Sequence, residues 1–171
     1  DKPDRAKDSF RRAITLDPKN PDYYYNLGNA YSRTLDYETA ILNYEKAIEL
    51  KSDFAWAYFQ IGEIKRVTHD YDKALEYYRK AAKADPKDVA SYRGIGMIKY
   101  YLGEGDEAEA VFEMAVSLDE KDPTSLTRLG DISCDKGDYE KALKYYRKVE
   151  VSAELEKLKL KEKTAAAKYL M

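Results

Sequence analysis

Histidine and cysteine, which carry much of enzyme chemistry, are almost missing from this chain. Its 171 residues include one His, His69 in "VTHDYD", and one Cys, Cys134. A catalytic triad or a multi-cysteine metal site needs several such residues, and a nucleophilic thiol needs a neighbour that activates it. We interpret His69 as a solvated turn residue and Cys134 as a small thiol that is either packed or at the edge of a groove. The sequence therefore predicts no catalysis, no metal site and no cofactor.

Carboxylates are plentiful, but their spacing does not build a known site. The stretch "GEGDEAE", residues 103–109, has two glycines and no following Lys-Ser or Lys-Thr, so it is not a phosphate-binding loop. Its acidic residues do not follow the spacing of an EF-hand calcium loop. We interpret this stretch as a turn between two helices, and segments such as "DYEKALKYYRK" as salt-bridged helix surface.

Charge and hydropathy exclude two further classes of partner. Lys plus Arg is 30 and Asp plus Glu is 32, a net charge of −2, so the surplus of cations that binds phosphate backbones is missing and no nucleic-acid partner is expected. No apolar run reaches the ~20 residues of a membrane span. A single cysteine is compatible with a reducing compartment such as the cytoplasm. The start "DKPDRAKDSF" has no signal-peptide core and no initiator Met, which is compatible with an excised or processed piece.

The chain repeats itself with a period of 34 residues. Glycine recurs at Gly28, Gly62, Gly96 and Gly130. Each glycine follows a Leu or Ile, and each is followed twelve residues later by an Ala. An aromatic residue stands sixteen positions after each glycine: Tyr44, Tyr78, Phe112 and Tyr146. Columns that stay in phase over four copies predict four copies of one structural unit.

Each unit reads as two amphipathic helices, because its apolar residues recur at three- and four-residue spacing. The first helices are expected to begin at capping residues, which are Asn20, Asp53, Asp88 and Asp122. The second helices are expected to begin near Asp36, Asp70, Gly105 and Asp138. Glycine in the first helix and alanine in the second allow close helix approach, and the aromatic residues fill the space beside them.

The pattern in "YNLGNAY", followed by Ala, an aromatic residue and Ala, resembles the tetratricopeptide repeat (TPR) family. The resemblance implies an all-α, right-handed superhelical solenoid of antiparallel helix pairs in a single domain. The predicted parts are the second helix of a partial repeat at 1–20, full repeats at 21–54, 55–88, 89–122 and 123–156, and a C-terminal capping helix or tail at 157–171. The alternatives for this last part are one long helix that runs on from residue 139 and a frayed tail after about residue 163.

In this family the first helices line a concave groove that holds a partner peptide. Applied to this chain, the resemblance and helix geometry predict these partner-binding residues: Tyr25, Asn26, Asn29, Arg33, Trp56, Phe59, Gln60, Glu63, Arg66, Arg93, Met97, Tyr100 and Arg128. Trp56, Phe59 and Tyr100 are the strongest candidates, because exposed aromatic residues dominate binding hot spots. The arginines could pair with carboxylates of the partner. Tyr101 has two interpretations, one in the groove and one in the core.

The predicted function is a protein–protein interaction scaffold or adaptor that holds a partner peptide or helix in this groove. The family's two-carboxylate clamp is matched only at Asn29, or in a shifted register only at Arg128, which argues against a chaperone tail as the partner. One alternative is a structural module that forms a homo-oligomer through the terminal helix at 1–20. Another is an accessory domain of a larger protein. RNA binding of the pentatricopeptide type is disfavoured because the chain has no basic stripe.

Overall fold

The computed structural model describes residues 2–149 of the chain, and the predicted capping helix at 157–171 lies outside them. Residues 2–149 form nine α-helices and no strand, which confirms the all-α class. The helices are α1 (Lys2–Leu16), α2 (Pro21–Ser32), α3 (Tyr37–Leu50), α4 (Ala55–Val67), α5 (Tyr71–Ala84), α6 (Val89–Tyr101), α7 (Gly105–Leu118), α8 (Pro123–Asp135) and α9 (Tyr139–Lys148).

Most predicted helix starts are capped as expected. The side chain of Asn20 accepts a hydrogen bond from the backbone N–H of Asp22 at 3.0 Å, a contact worth about 1 kcal/mol. The other side-chain caps are Asp36, Asp70, Asp88, Asp122 and Asp138. The prediction for Asp53 is wrong. Phe54 occupies the N-cap of α4 and makes no side-chain cap bond, and its ring is buried. Burial of this ring fixes the helix start one residue later than the acidic residue suggests.

The chain divides into two compact units, Asp1–Ser91 and Tyr92–Met171. In unit 1, consecutive helices from α1 to α5 pack on one another. A core cluster of unit 1 contains Ala40, Tyr44, Ala47, Phe54, Ala57, Ile61 and Ile64. In unit 2, α7 packs on α8 and α8 packs on α9. A core cluster of unit 2 contains Ala108, Phe112, Leu129 and Ile132.

The repeated glycines and the repeated aromatic residues are in direct contact between the two helices of each pair. Each glycine of a first helix lies against the aromatic ring sixteen residues later. The pairs are Gly28 with Tyr44, Gly62 with Tyr78, Gly96 with Phe112, and Gly130 with Tyr146. A Cβ atom on Gly62 would lie 2.7 Å from Cδ1 of Tyr78, which is fully buried. Any side chain at this column would therefore push the two helices of a pair apart.

The turn within each helix pair reverses through one residue in the left-handed backbone region. These residues are again 34 apart: Leu35 (φ 61°), His69 (φ 61°), Gly103 (φ 77°) and Gly137 (φ 77°). His69 is exposed, as predicted for a turn residue. Glycine adopts this conformation without steric cost, whereas an L side chain pays roughly 1–2 kcal/mol.

Candidate partner-binding faces

The first helices of unit 1 carry an exposed aromatic cluster, which we call the Trp56 cluster (Tyr25, Phe54 and Trp56). The ring of Trp56 lies 6.3 Å from the rings of both Tyr25 and Phe54, and those two rings are 5.1 Å apart. Phe54 is buried, Tyr25 is half-buried against the core, and Trp56 is 60% exposed. The cluster is thus a rigid aromatic platform: its base is anchored in the core and its outer ring faces water.

Three polar side chains on the first helices accept hydrogen bonds from buried tyrosines. Two of them, Asn29 and Glu63, belong to the predicted binding face. Each of the three stands one residue after the repeat glycine, and its partner is the tyrosine sixteen residues after that glycine. The pairs are Asn29 with Tyr44 (2.8 Å), Glu63 with Tyr78, and Asp131 with Tyr146 (2.9 Å). We call Tyr44, Tyr78 and Tyr146 the core tyrosines. Burial raises the pKa of each core tyrosine well above its ordinary value, and the hydrogen bond to Glu63 raises that of Tyr78 further.

In the repeat at 89–122, both members of this pair are apolar. Phe112, which has no hydroxyl, replaces the tyrosine, and Met97 replaces the acceptor. Met97 is half-buried against the cluster that contains Phe112. A buried hydroxyl needs an acceptor, so the change at one position matches the change at the other. The predicted face residues Asn29, Glu63 and Met97 therefore contribute to the core as well.

Three of the four predicted arginines are held by carboxylates of the chain itself. Arg66 grips Glu63 through two hydrogen bonds of 3.2 and 2.8 Å, and this pairing raises the pKa of Arg66. Arg93 donates to the buried Asp122 at 3.0 Å.

The third of these arginines, Arg128, donates to Asp131 at 2.9 Å, and its guanidinium lies 5.6 Å from the centre of the Tyr100 ring. The fourth, Arg33, is exposed just past the end of α2. Its charge is the most accessible of the four to a partner carboxylate.

The remaining predicted side chains of unit 1 are half-buried. Phe59 packs on Tyr78, with ring centres 5.5 Å apart, so much of its surface already belongs to the core. Asn26 and Gln60 are half-buried on α2 and α4. Among the large apolar residues predicted for unit 1, Trp56 is therefore the most exposed to solvent.

Unit 2 has a second aromatic surface, where α6 ends and α7 begins. Its cleft of about 450 Å³ is lined by Tyr100, Tyr101, Gly103, Gly105, Ile132, Asp135 and Lys136, and we call it the Tyr101 cleft. Tyr101 is 58% exposed, so the structure favours its surface interpretation over the core one. Tyr100 is half-buried and donates a long hydrogen bond of 3.4 Å to Asp135. Burial, together with the nearby Asp135 and Asp131, raises the pKa of Tyr100.

His69 and Cys134 each lie close to a tyrosine hydroxyl. The Nδ1 atom of His69 lies 3.0 Å from the hydroxyl of Tyr71 at an exposed turn. Cys134 is half-buried, with its Sγ atom 3.7 Å from the hydroxyl of Tyr146. Within residues 2–149, no group of three or more His, Cys, Asp or Glu side chains is placed to hold a metal ion. In the same part of the chain, no helix combines the length and apolar character that crossing a bilayer requires.

Four family models match the chain, and together they run from residue 4 to residue 154. One is a TPR repeat model at residues 4–34, and three are tetratricopeptide repeat models at 21–54, 53–121 and 93–154. The chain belongs to the tetratricopeptide repeat family. A comparison with curated protein sequences gave no significant match.

Several solved structures share this fold. A crystal structure of MamA superposes with a TM-score of 0.75 at 22% identity, covering 96% of this chain and 91% of that one. PilF of Pseudomonas aeruginosa superposes with a TM-score of 0.82 at 17% identity, covering 97% and 81%. YrrB, described as a TPR protein with an unusual peptide-binding site, gives 0.72 at 26% identity, covering 84% and 74%. The fold is a helical repeat solenoid of the TPR type, a fold of protein-interaction scaffolds.

One feature of these faces has a signal in the sequence that the prediction did not use. The residue after the repeat glycine is polar wherever the later aromatic is tyrosine, and it is methionine where the aromatic is phenylalanine. That correlation marks a side chain that reaches a buried hydroxyl. Phe54, the base of the Trp56 cluster, was not predicted either, because the helix was expected to begin at Asp53 and Phe54 instead occupies the N-cap.

Proposed function

We propose that this TPR protein is a non-enzymatic interaction scaffold that holds a segment of a partner protein against its first helices. The observation that carries the proposal is the Trp56 cluster. Trp56 is 60% exposed while Phe54 and Tyr25 fix its ring from below. Covering about 150 Å² of such a ring would contribute roughly 3–4 kcal/mol. Tryptophan on a rigid support is the residue type most enriched at binding hot spots.

Two further observations support this reading. Arg33, exposed just past the end of α2, offers a guanidinium to a partner carboxylate. The likeness to YrrB, whose description names a peptide-binding site, is in keeping with peptide binding by this chain. The occupant would be an extended or helical segment with an apolar side chain placed on Trp56.

The test selects short random peptides, displayed on phage, against the immobilised protein and measures the affinity of the selected peptides. Trp56→Ala should weaken them by about 30-fold or more, the loss expected for a hot-spot tryptophan. The helical content should stay unchanged, because the replaced ring is mostly exposed.

Leu42→Ala is the matched control, because Leu42 is 65% exposed but lies on α3, the second helix of its pair. This variant should bind as the wild type does. If the protein selects no peptides, or if both variants weaken binding equally, the proposal is wrong. Phe59→Ala is a poorer test, because Phe59 packs on Tyr78 and its loss would also cost stability.

A second candidate function is self-assembly through α1. Phe10 stands 34 residues before Tyr44 in the aromatic column, but it stays half-buried whereas Tyr44 is fully buried. A second copy that covered this ring would complete its burial. Light scattering after size exclusion should then show an oligomer that Phe10→Asp converts to a monomer. A wild-type chain that stays monomeric at high concentration would rule this candidate out.

A further inference from the structure

The Tyr101 cleft in unit 2 differs in chemistry from the Trp56 cluster. Its exposed ring, Tyr101, lies 6.4 Å from Tyr100, and the two ring planes are inclined by 52°. The carboxylate of Asp135 lies at the hydroxyl of Tyr100 and lines the same cleft. An exposed aromatic face beside a carboxylate is the combination that attracts a cation, because the ring quadrupole and the negative charge act together.

The charges on the surrounding elements have the same sign. The end of α6, the turn that follows it, the first two turns of α7 and the second half of α8 carry more acidic than basic residues. The carboxylates are Glu104, Asp106, Glu107, Glu109, Asp131 and Asp135, and the cations that pair with them are Lys99, Arg128, Lys136 and Lys141. These six carboxylates and the four cations paired with them sum to a charge of −2.

The cations beside the cleft are already neutralised. The ammonium of Lys136 lies 2.5 Å from Asp106 and 2.6 Å from Glu109. Arg128 lies over the ring of Tyr100 and is paired with Asp131. Asp135 is exposed, and its nearest described polar contact is the long bond from Tyr100. An incoming cation would therefore meet Asp135 and the open face of Tyr101 without displacing an existing ion pair.

We propose that the Tyr101 cleft receives a lysine or arginine side chain of a partner segment. This inference rests on the proposed function, since it assigns the partner chemistry of the binding surface in unit 2. The ammonium or guanidinium group stacks on Tyr101 and pairs with Asp135. The apolar stem of the same side chain covers the glycine-containing turn at 103–105. The acidic stretch "GEGDEAE" thus takes part in setting the sign of the partner's charge.

The experiment uses the same phage-displayed random peptides and compares the wild type with Tyr101→Ala and Asp135→Asn. Peptides selected by the wild type should be enriched in Lys or Arg at one position. For one such peptide, replacing that basic residue with norleucine should weaken binding about tenfold, as expected for a cation–π contact with a carboxylate beside it. Asp135→Asn should remove the preference for the basic residue and reduce the salt dependence of binding.

Glu140→Gln is the matched control, because Glu140 is an exposed carboxylate of α9 in the same unit. It should leave both the preference and the affinity unchanged. Selected peptides without basic enrichment, or a preference that survives Asp135→Asn, would overturn the inference while the proposed function stands. A wild type that selects no peptides at all would overturn both.

Discussion

The pairing between the core tyrosines and their acceptors can be tested by building the missing pair. Phe112→Tyr adds a hydroxyl to a fully buried ring beside Met97. Leaving that hydroxyl without an acceptor should destabilise the protein by about 1–3 kcal/mol. Met97→Asn alone should cost about 1–2 kcal/mol, because it removes half-buried apolar contacts.

In the double variant, the new tyrosine and asparagine reproduce the pair formed by Tyr44 and Asn29, whose oxygens are 2.8 Å apart. The hydrogen bond should recover the desolvation cost of the hydroxyl, so the two substitutions should be coupled by about 2 kcal/mol. The free energy of unfolding, measured by urea titration with far-ultraviolet circular dichroism, gives this coupling from a double-mutant cycle.

The control is a second double-mutant cycle that uses Met97→Leu in place of Met97→Asn. Leucine offers no acceptor, so it should show no coupling with Phe112→Tyr. A coupling within about 0.5 kcal/mol of zero for the asparagine variant would refute the reasoning, because contacts that share no interaction add within that margin. The two columns would then be related by register alone and not by a hydrogen bond.

Three further predictions concern stability. Burial raises the pKa of the core tyrosines above their pKa in the unfolded chain. Their contribution to the free energy of unfolding is therefore fully present below about pH 10 and is lost above it, by about 1.4 kcal/mol per pH unit for each tyrosine. In urea titrations above pH 10, Tyr78→Phe should lose stability less steeply than the wild type, and equal slopes would contradict this. Gly62→Ala should lower the free energy of unfolding by about 1–2 kcal/mol, because overpacking on the buried ring exceeds the roughly 1 kcal/mol gained in helix propensity. Gly105→Ala is the control and should cost no stability, because a Cβ there meets nothing within 4 Å. Urea midpoints measure both variants, and a stabilised Gly62→Ala would count against the contact. Gly103→Ala should cost about 1–2 kcal/mol because of its φ of 77°, and an unchanged melting temperature would show that the turn relaxes.

The all-α class and the helix positions could be predicted from the sequence, because the period of 34 residues makes each column confirm the others. Gly62 and Tyr78 illustrate this: both stand out by type, and the structure places them in contact. The start of α4 could not be predicted from capping preference alone. Asp53 is a good cap by type, but burial of Phe54 determined where the helix begins.

The binding faces could be predicted only in part, because one helix position can serve two surroundings. Glu63 was assigned to the binding face, and it also accepts a hydrogen bond from Tyr78 inside the core. Phe59 was placed in the groove, and its ring packs on the same tyrosine. Helix periodicity gives the direction in which a side chain leaves the helix axis. It does not show whether a long side chain then turns toward a neighbouring surface. The thirteen predicted residues stay a prediction until a partner is bound.

Trp56 gives the protein an optical probe in a useful place. It is the only tryptophan of the chain and belongs to unit 1. Its fluorescence should therefore shift to shorter wavelength when a partner covers its exposed ring. During unfolding the same emission reads unit 1 alone, whereas circular dichroism reads all the helices. Denaturation curves that differ between these two signals would show that the units unfold separately, and curves that coincide would show that they unfold together.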